Sequence, residues 1–306
     1  YMRVVRNPFW PGLDTIPVPA IDEIQLNFLE QSTSLQLFEA GDLDHIDTVL
    51  NSELDRIRAD ENLAPLLYIT PGTAVYYYGF NTQMEPTDNV HLRRALSLAV
   101  DRESVVDNVT KAGQIPAFYF TIPTVAASPS VTDDMDAGVW YDPEGALAEL
   151  ELYFEDTGYT LETMPPVVLG VNTNEGHINI ATAIQQMWVD VLGIPSEVTN
   201  MEWAVYLEAR KYDLPVWRSG WGYDYPDTHS YLGDVFYTNH GEFVTPNGNN
   251  DTWWYNDEFD TLIEEAMTLT DPDERRELYT QADEILVWDD AAIIPIYWYV
   301  DTTMTQ

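Results

Sequence analysis

Apolar positions follow two different rhythms along this chain, and the change falls near residue 81. Before it, short extended runs dominate. Residues 2–5 and 24–29 read as strands, joined through Asn7-Pro8-Phe9-Trp10-Pro11-Gly12, whose prolines and glycine forbid regular structure. A short helix over 35–40 follows, with Gly41 placed to cap its C-terminus, and Leu43, Ile46 and Val49 lead back into extended chain. The aromatic, β-rich run over 74–80 has the composition of a buried strand.

Beyond a polar crossing at 81–89 the apolar residues recur at helical spacing. Leu92, Leu96 and Ala99 form one stripe, and Asp101 caps a second start that Gly113 closes. Asp142-Pro143-Glu144 pairs an N-cap with proline at the first helical position, followed by Ala146, Leu147, Leu150 and Phe154 and closed by Gly158. A strand over 167–171, a helix carrying Ile180, Ala181, Ile184, Trp188 and Val191 up to Gly193, and a further strand predict βαβ units and a mostly parallel sheet. Asn247-Gly248-Asn249-Asn250-Asp251 reads as a turn, and Asn256 caps a helix with Phe259, Leu262, Ile263 and Ala266 on its stripe. Asp271-Pro272-Asp273-Glu274 is a capping box opening a helix to Val287, and 293–300 is a last apolar strand. The fold class predicted is α/β, with a boundary near residue 81.

One stretch stands apart from these patterns. Arg218-Ser219-Gly220-Trp221-Gly222-Tyr223-Asp224-Tyr225-Pro226-Asp227 packs a cation, three aromatics and two carboxylates into ten residues. Residues 214–217 read as a strand that delivers this cluster to its exit, and a strand end facing a cleft is where small-molecule sites form. Asp224 suits a ligand's ammonium and Arg218 its carboxylate, because charge-assisted bonds in a dry cleft are strong and directional. The bland reading is an aromatic loop on a sheet edge. Asp227, after a proline, reads as a cap for a helix starting near Thr228, worth about 1 kcal/mol.

Composition narrows the choice of partner. The 306 residues fit about two domains, and 52 acidic against 13 basic residues give a net charge of −39, which excludes nucleic acid as a partner. A field of that sign repels itself at low salt, so a salt-rich niche, halophilic or marine, is expected. Without cysteine there is no disulfide, thiolate catalysis or thiolate metal site. The histidines, His45, His91, His177, His229 and His240, include no pair at the spacing that puts two imidazoles on one helix face, so no metal and no cofactor is expected. Asp224 and Asp227 on a Trp221/Tyr225 platform leave a glycoside hydrolase open as an alternative. No G-x-S-x-G elbow, H-E-x-x-H or glycine-rich phosphate loop occurs, and an enzyme is not expected.

Ordered matches across the chain carry a resemblance. They are Arg6-Asn7-Pro8-Phe9-Trp10; Tyr76-Tyr77-Tyr78 with Asn81-Thr82-Gln83; Val90-His91-Leu92-Arg93-Arg94-Ala95-Leu96 with Asp101-Arg102-Glu103; and Trp140-Tyr141-Asp142-Pro143 with Gly158-Tyr159. Met201-Glu202-Trp203 with Tyr206-Leu207, the Trp221 to Asp227 cluster, Asn256-Asp257-Glu258-Phe259-Asp260 and Ile294-Pro295-Ile296-Tyr297 complete them. With these the chain resembles the C-terminal part of the family 5 extracellular solute-binding proteins of ABC importers, most closely the oligopeptide-binding ones.

The resemblance implies a two-lobed, type II periplasmic-binding-protein-like α/β fold with an incomplete first lobe. Residues 1–80 and 291–306 would belong to lobe I and 81–290 to lobe II. It implies an extracytoplasmic binding component, periplasmic or extracellular, anchored or soluble, a monomer when complete, that delivers oligopeptides or dipeptides to membrane permease subunits; an oligosaccharide-binding member is the alternative within the family. Since such proteins usually carry a long region with no counterpart before Tyr1, the chain alone is expected to bind poorly. Carried over singly, Asp224 matches the carboxylate that holds a peptide's α-amino group, Trp221 a pocket aromatic, and Arg218 and His177 basic groups that meet a ligand carboxylate; Arg210 is a looser match. Gly222 and Tyr223 flank them, and Tyr223 stands where small residues are usual. Tyr76, Tyr78, Tyr297 and Tyr299 are expected along one side of the cleft, with strand alternation letting only one face of each strand contribute.

Overall fold

A computed structural model describes residues 1–129, 138–239 and 249–306. His240 and the first two residues of the turn expected at 247–251 lie outside them. Two compact units result, residues 1–68 with 302–306 and residues 69–301.

In the smaller unit β1 (Met2–Val5) and β2 (Glu23–Leu26) pair antiparallel with Met2 opposite Leu26. Arg3 grips Glu23 through two 2.6 Å hydrogen bonds. Helix α1 (Gln31–Glu39) buries Leu35 and Phe38, and Gly41 follows it at φ +80°, a left-handed conformation that favours glycine. Strand β3 (His45–Ile46) pairs with residues 304–305, and α2 (Leu54–Ala59) buries Leu54 and Ile57.

The larger unit begins inside β4 (Leu67–Phe80). Helix α3 (Val90–Leu98) starts at Asn89, whose side chain accepts from the backbone N–H groups of His91 and Leu92. After α4 (Arg102–Ser104), which runs on as a π-helical turn, and β5 (Ile115–Pro116), α5 (Pro143–Thr157) is capped by Asp142 and ends at left-handed Gly158. Strand β6 (Val167–Asn172), α6 (Glu175–Leu192), β7 (Ser196–Met201), α7 (Trp203–Tyr212) and β8 (Val216–Gly222) form two crossovers. Helices α8 (His229–Phe236), α9 (Asp257–Thr268) and α10 (Pro272–Glu284) precede β9 (Ile293–Thr305). The sheet order is β9-β4-β8-β6-β7, with β5 on β9.

Among the described strands, parallel pairing joins β6 with β7 and β6 with β8, the crossover strands. Because β4 and β5 enter without a crossover and pair antiparallel with β8 and β9, the sheet is mixed and not mostly parallel. Trp188 anchors α6 to α3, its ring buried and its Nε1 donating to the Leu96 carbonyl at 2.9 Å. Gly79 faces Trp217 across β4 and β8; a Cβ there would lie 2.3 Å from the indole, so only glycine leaves room for that ring. The compact units part at 68/69 and 301/302, whereas the sequence reading draws the crossing at 80/81 and 290/291. The difference arises because the aromatic part of β4 and the apolar part of β9 are interior strands of the larger unit's sheet.

Candidate functional site

The cluster singled out in the sequence begins inside a strand, not at its exit. β8 runs on through Gly222, because antiparallel pairing with β4 from Val216↔Phe80 to Gly222↔Ala74 satisfies its backbone. Register then decides the faces: Arg218 lies opposite Tyr78 and Gly220 opposite Tyr76, while Trp221 lies opposite Val75 and Ser219 opposite Tyr77. Side chains alternate along a strand, so Arg218 and Trp221 point to opposite faces of the sheet.

On the first face Arg218 sits in an aromatic nest. Its guanidinium carbon is 4.8 Å from the centre of the Tyr76 ring, and Nη2 donates to the Tyr299 hydroxyl at 3.3 Å. Tyr76 stacks on Tyr297 at 4.9 Å, and Tyr78 meets Tyr76 edge-on at 5.8 Å. The Tyr206 hydroxyl on α7 donates to the Arg218 carbonyl, a support with no signal in the sequence. Gly220 borders the nest, and a Cβ there would lie in ordinary contact with Arg218 Nη2 at 3.6 Å and the Tyr299 hydroxyl at 3.7 Å. Arg218 makes no ion pair among the described residues, and its buried Nε has no hydrogen-bond partner among them.

His177 reaches the same nest from the first turn of α6, where Asn174 caps the helix by accepting from His177 N. Its Nδ1 is 3.4 Å from the Tyr76 hydroxyl. Burial, and secondarily the Arg218 charge, push its pKa down to about 4, so the ring is neutral near pH 7. Burial pushes the Tyr76 phenol up to about 12. Tyr76 and Tyr78 are fully buried, and Tyr297 nearly so. Tyr76 thus carries both Arg218 and His177, with Tyr78 and Tyr297 packed against its ring.

On the other side, Trp221, Tyr223 and Asp224 gather around the start of α8. Trp221 Nε1 donates to the Ser230 carbonyl at 2.7 Å, and the Ser230 hydroxyl accepts from Asp224 N at 2.9 Å. Tyr223 meets Tyr231 edge-on at 6.3 Å. Gly222 and Asp224 are exposed, and the Asp224 carboxylate has no partner among the described residues. Ser230 organises this arm from several residues downstream, a role invisible in the sequence.

Two other candidates are engaged elsewhere. Asp227 accepts from His229 N at 2.9 Å, as a cap should, and its two oxygens also take hydrogen bonds of 2.7 and 2.8 Å from Arg275. Burial alone would raise the Asp227 pKa, but the Arg275 hydrogen bonds, the His229 N–H and the nearby charge carry it below the usual value. A carboxylate held ionised in this way is unfit as the general acid of a carboxylate pair, and both its oxygens are already engaged by Arg275. Arg210, the looser match for a ligand carboxylate, instead pairs at 2.6 Å with buried Asp251 and lies over the Trp217 ring. Among the described residues no group of three or more His, Asp or Glu is placed to hold a metal, and no helix is long and apolar enough to cross a membrane.

The family described as bacterial extracellular solute-binding proteins, family 5 Middle, matches residues 1–243. Over 305 residues the chain is 34% identical to the oligopeptide-binding protein OppA of Bacillus subtilis, covering 97% of this chain and 52% of that protein. The periplasmic oligopeptide-binding protein OppA of Salmonella typhimurium is 26% identical over 98% of this chain and 53% of its own length. Among solved structures, Haemophilus influenzae OppA in complex with RPPGFSPFR superposes with a TM-score of 0.71 at 28% identity, covering 90% of this chain and 52% of that one. The Escherichia coli murein tripeptide binding protein MppA gives 0.73 at 27%, over 90% of this chain and 52% of its own. The chain spans about half the length of the relatives it matches.

Proposed function

Since the chain belongs to the bacterial extracellular solute-binding proteins of family 5, we propose that the protein it represents binds oligopeptides or dipeptides outside the cytoplasm and hands them to the membrane subunits of an ABC importer. The fold is the type II periplasmic-binding-protein α/β fold, which supports this reading. In this proposal Arg218 and neutral His177 take a ligand carboxylate, while Asp224 takes an ammonium. A ligand meeting both arms lies across the end of β8 at Gly222. Residues 1–80 with 291–306 serve lobe I and 81–290 lobe II. In this reading the protein is a binder and not an enzyme, in keeping with the relatives it matches, which are named as binding proteins.

One observation carries the proposal. In a chain with fourfold excess of acid, Arg218 is packed among tyrosines with a buried, unpartnered Nε and no carboxylate of its own. An unpaired buried donor is costly, and a ligand carboxylate would relieve that cost.

Mass spectrometry of molecules co-purifying with the complete protein names the ligand class. Calorimetry on that protein should then show Asp224→Ala weakening binding by about 2–5 kcal/mol, the usual cost of leaving a desolvated charge without its partner. N-acetylating the peptide should mimic that loss without adding to it. Equal binding of acetylated and free peptide, or tightest binding of a neutral oligosaccharide, would overturn the peptide assignment.

A further inference from the structure

Away from the Arg218 nest, a cavity of about 370 Å³ is lined by Glu85, Asp88, Asn89, Tyr153, Thr157 and Tyr159. Most of its polar atoms are already used. Asn89 caps α3 through its oxygen and donates from Nδ2 to Asp156 at 3.2 Å, and Thr157 donates to the Tyr153 carbonyl at 2.7 Å. The Tyr159 hydroxyl donates to Glu85. What remains is the Asp88 carboxylate, the free lone pairs of Glu85, and one anomaly: the Tyr153 hydroxyl, on a side chain only 1% exposed, has no hydrogen-bond partner. Leaving a buried hydroxyl unpaired costs about 1–3 kcal/mol, and nothing in the packing of α5 accounts for it.

The cavity also lacks a cation. Arg93, whose Nη1 donates to the backbone carbonyls of Thr87 and Asp88, spends its guanidinium on main chain, and His91 is held by Glu149 at 2.6 Å. Two carboxylates therefore line the same space as Tyr153 and Tyr159, whose ring centres are 6.2 Å apart and inclined by 31°. Both phenols are raised, Tyr153 to about 12 by burial first and then by its neighbours Tyr159, Glu85 and Asp88, consistent with negative charge directed into the space. Carboxylates beside tilted aromatic faces suit an organic cation with methylene groups. A metal ion fits less well, for only two carboxylates line the cavity and no three-ligand group is present among the described residues.

We propose that this cavity is a second binding site, separate from the peptide arms, for a small organic ammonium ion such as a primary amine or diamine. Asp88 and Glu85 take the charge, the Tyr153 hydroxyl accepts an N–H, and the part-exposed Tyr159 ring covers the methylenes.

The test titrates the chain with cadaverine at molar salt, where a screening length of roughly 3 Å suppresses diffuse attraction to the acidic surface. Saturable binding is expected by calorimetry or amide chemical shifts centred on 85–89 and 153–159. Asp88→Asn should weaken it by about tenfold, the scale of one charge-assisted hydrogen bond. Tyr153→Phe should weaken it severalfold while leaving the melting temperature unchanged or raised, because it removes an unpaired buried hydroxyl and nothing else. Asp224→Asn should leave cadaverine binding untouched, which separates this site from the peptide site. The proposal is overturned by an absence of saturation, by equal binding of pentanediol, by tighter binding of magnesium than of cadaverine, or by wild-type affinity in both Asp88→Asn and Tyr153→Phe.

Discussion

His177 and Asp227 show how far a residue's neighbours decide its chemistry. His177 has a folded pKa near 4 against an ordinary 6.5, so between those values the unfolded chain binds more protons than the folded one. Its contribution to stability is thus complete above about pH 6.5 and is lost as pH falls toward about 4. Because the Arg218 charge is the second cause of that depression, Arg218→Met should move the His177 midpoint upward in an NMR titration; an unchanged midpoint would separate the two side chains. Asp227 was legible as a cap from Pro226-Asp227 alone, which suggested a cost of about 1 kcal/mol on removal. The structure adds a half-buried, two-pronged pair with Arg275. Asp227→Ala should accordingly cost roughly 2–4 kcal/mol in chemical denaturation, since it strands the Arg275 charge as well as the helix end. A loss of 1 kcal/mol or less would mean that the pair contributes nothing beyond the cap.

At the level of elements, helix ends were the most legible feature and strand faces the least. Asp101, Asp142, Asn256 and Asp271 all accept from the first-turn N–H groups that their sequence context promised, because capping is a contact over two or three residues. β8 defeated the same reading. Its glycines looked like the end of a strand, and only pairing with β4 shows that it continues and that Arg218 and Trp221 part to opposite faces. Asp283 on α10 lies in the same class of long-range facts. It is fully buried and accepts from Phe120 N at 3.0 Å and Thr121 N at 3.1 Å, tying the 120–121 segment to the helix. Burial raises its pKa to about 6 against an ordinary 3.8, so its contribution is fully present below about pH 3.8 and is lost as pH rises through about 6. Asp283→Ala should destabilise by about 2–5 kcal/mol through two orphaned buried N–H groups. Asp283→Asn, which retains an acceptor and carries no charge, should cost less and flatten the pH dependence between those values. If both variants melt alike at every pH, the carboxylate is not the anchor.

For the molecule as a whole, family membership and α/β class were readable because the matched stretches run through the chain in order, whereas the division into units depended on how β4 and β9 lie in the sheet. Charge acts at this scale too. With 52 acidic and 13 basic side chains, most carboxylates have no basic partner to pair with, and several of the pairs that form are exposed and screened by solvent. Mutual repulsion among the rest opposes the compact state at low ionic strength, where the screening length reaches about 30 Å, and fades as it shrinks to about 3 Å at molar salt. The melting temperature should therefore climb with sodium chloride from the millimolar range and level off once screening is complete. Sodium sulfate, which also strengthens apolar burial by exclusion from the surface, should keep raising it beyond that plateau. Replacing several exposed glutamates by glutamine should lift the low-salt melting temperature and flatten the chloride dependence together, because both act on one repulsive field. A melting temperature that falls steadily with sodium chloride, or glutamine variants that melt lower at low salt, would show that the acidic surface stabilises this fold by another route.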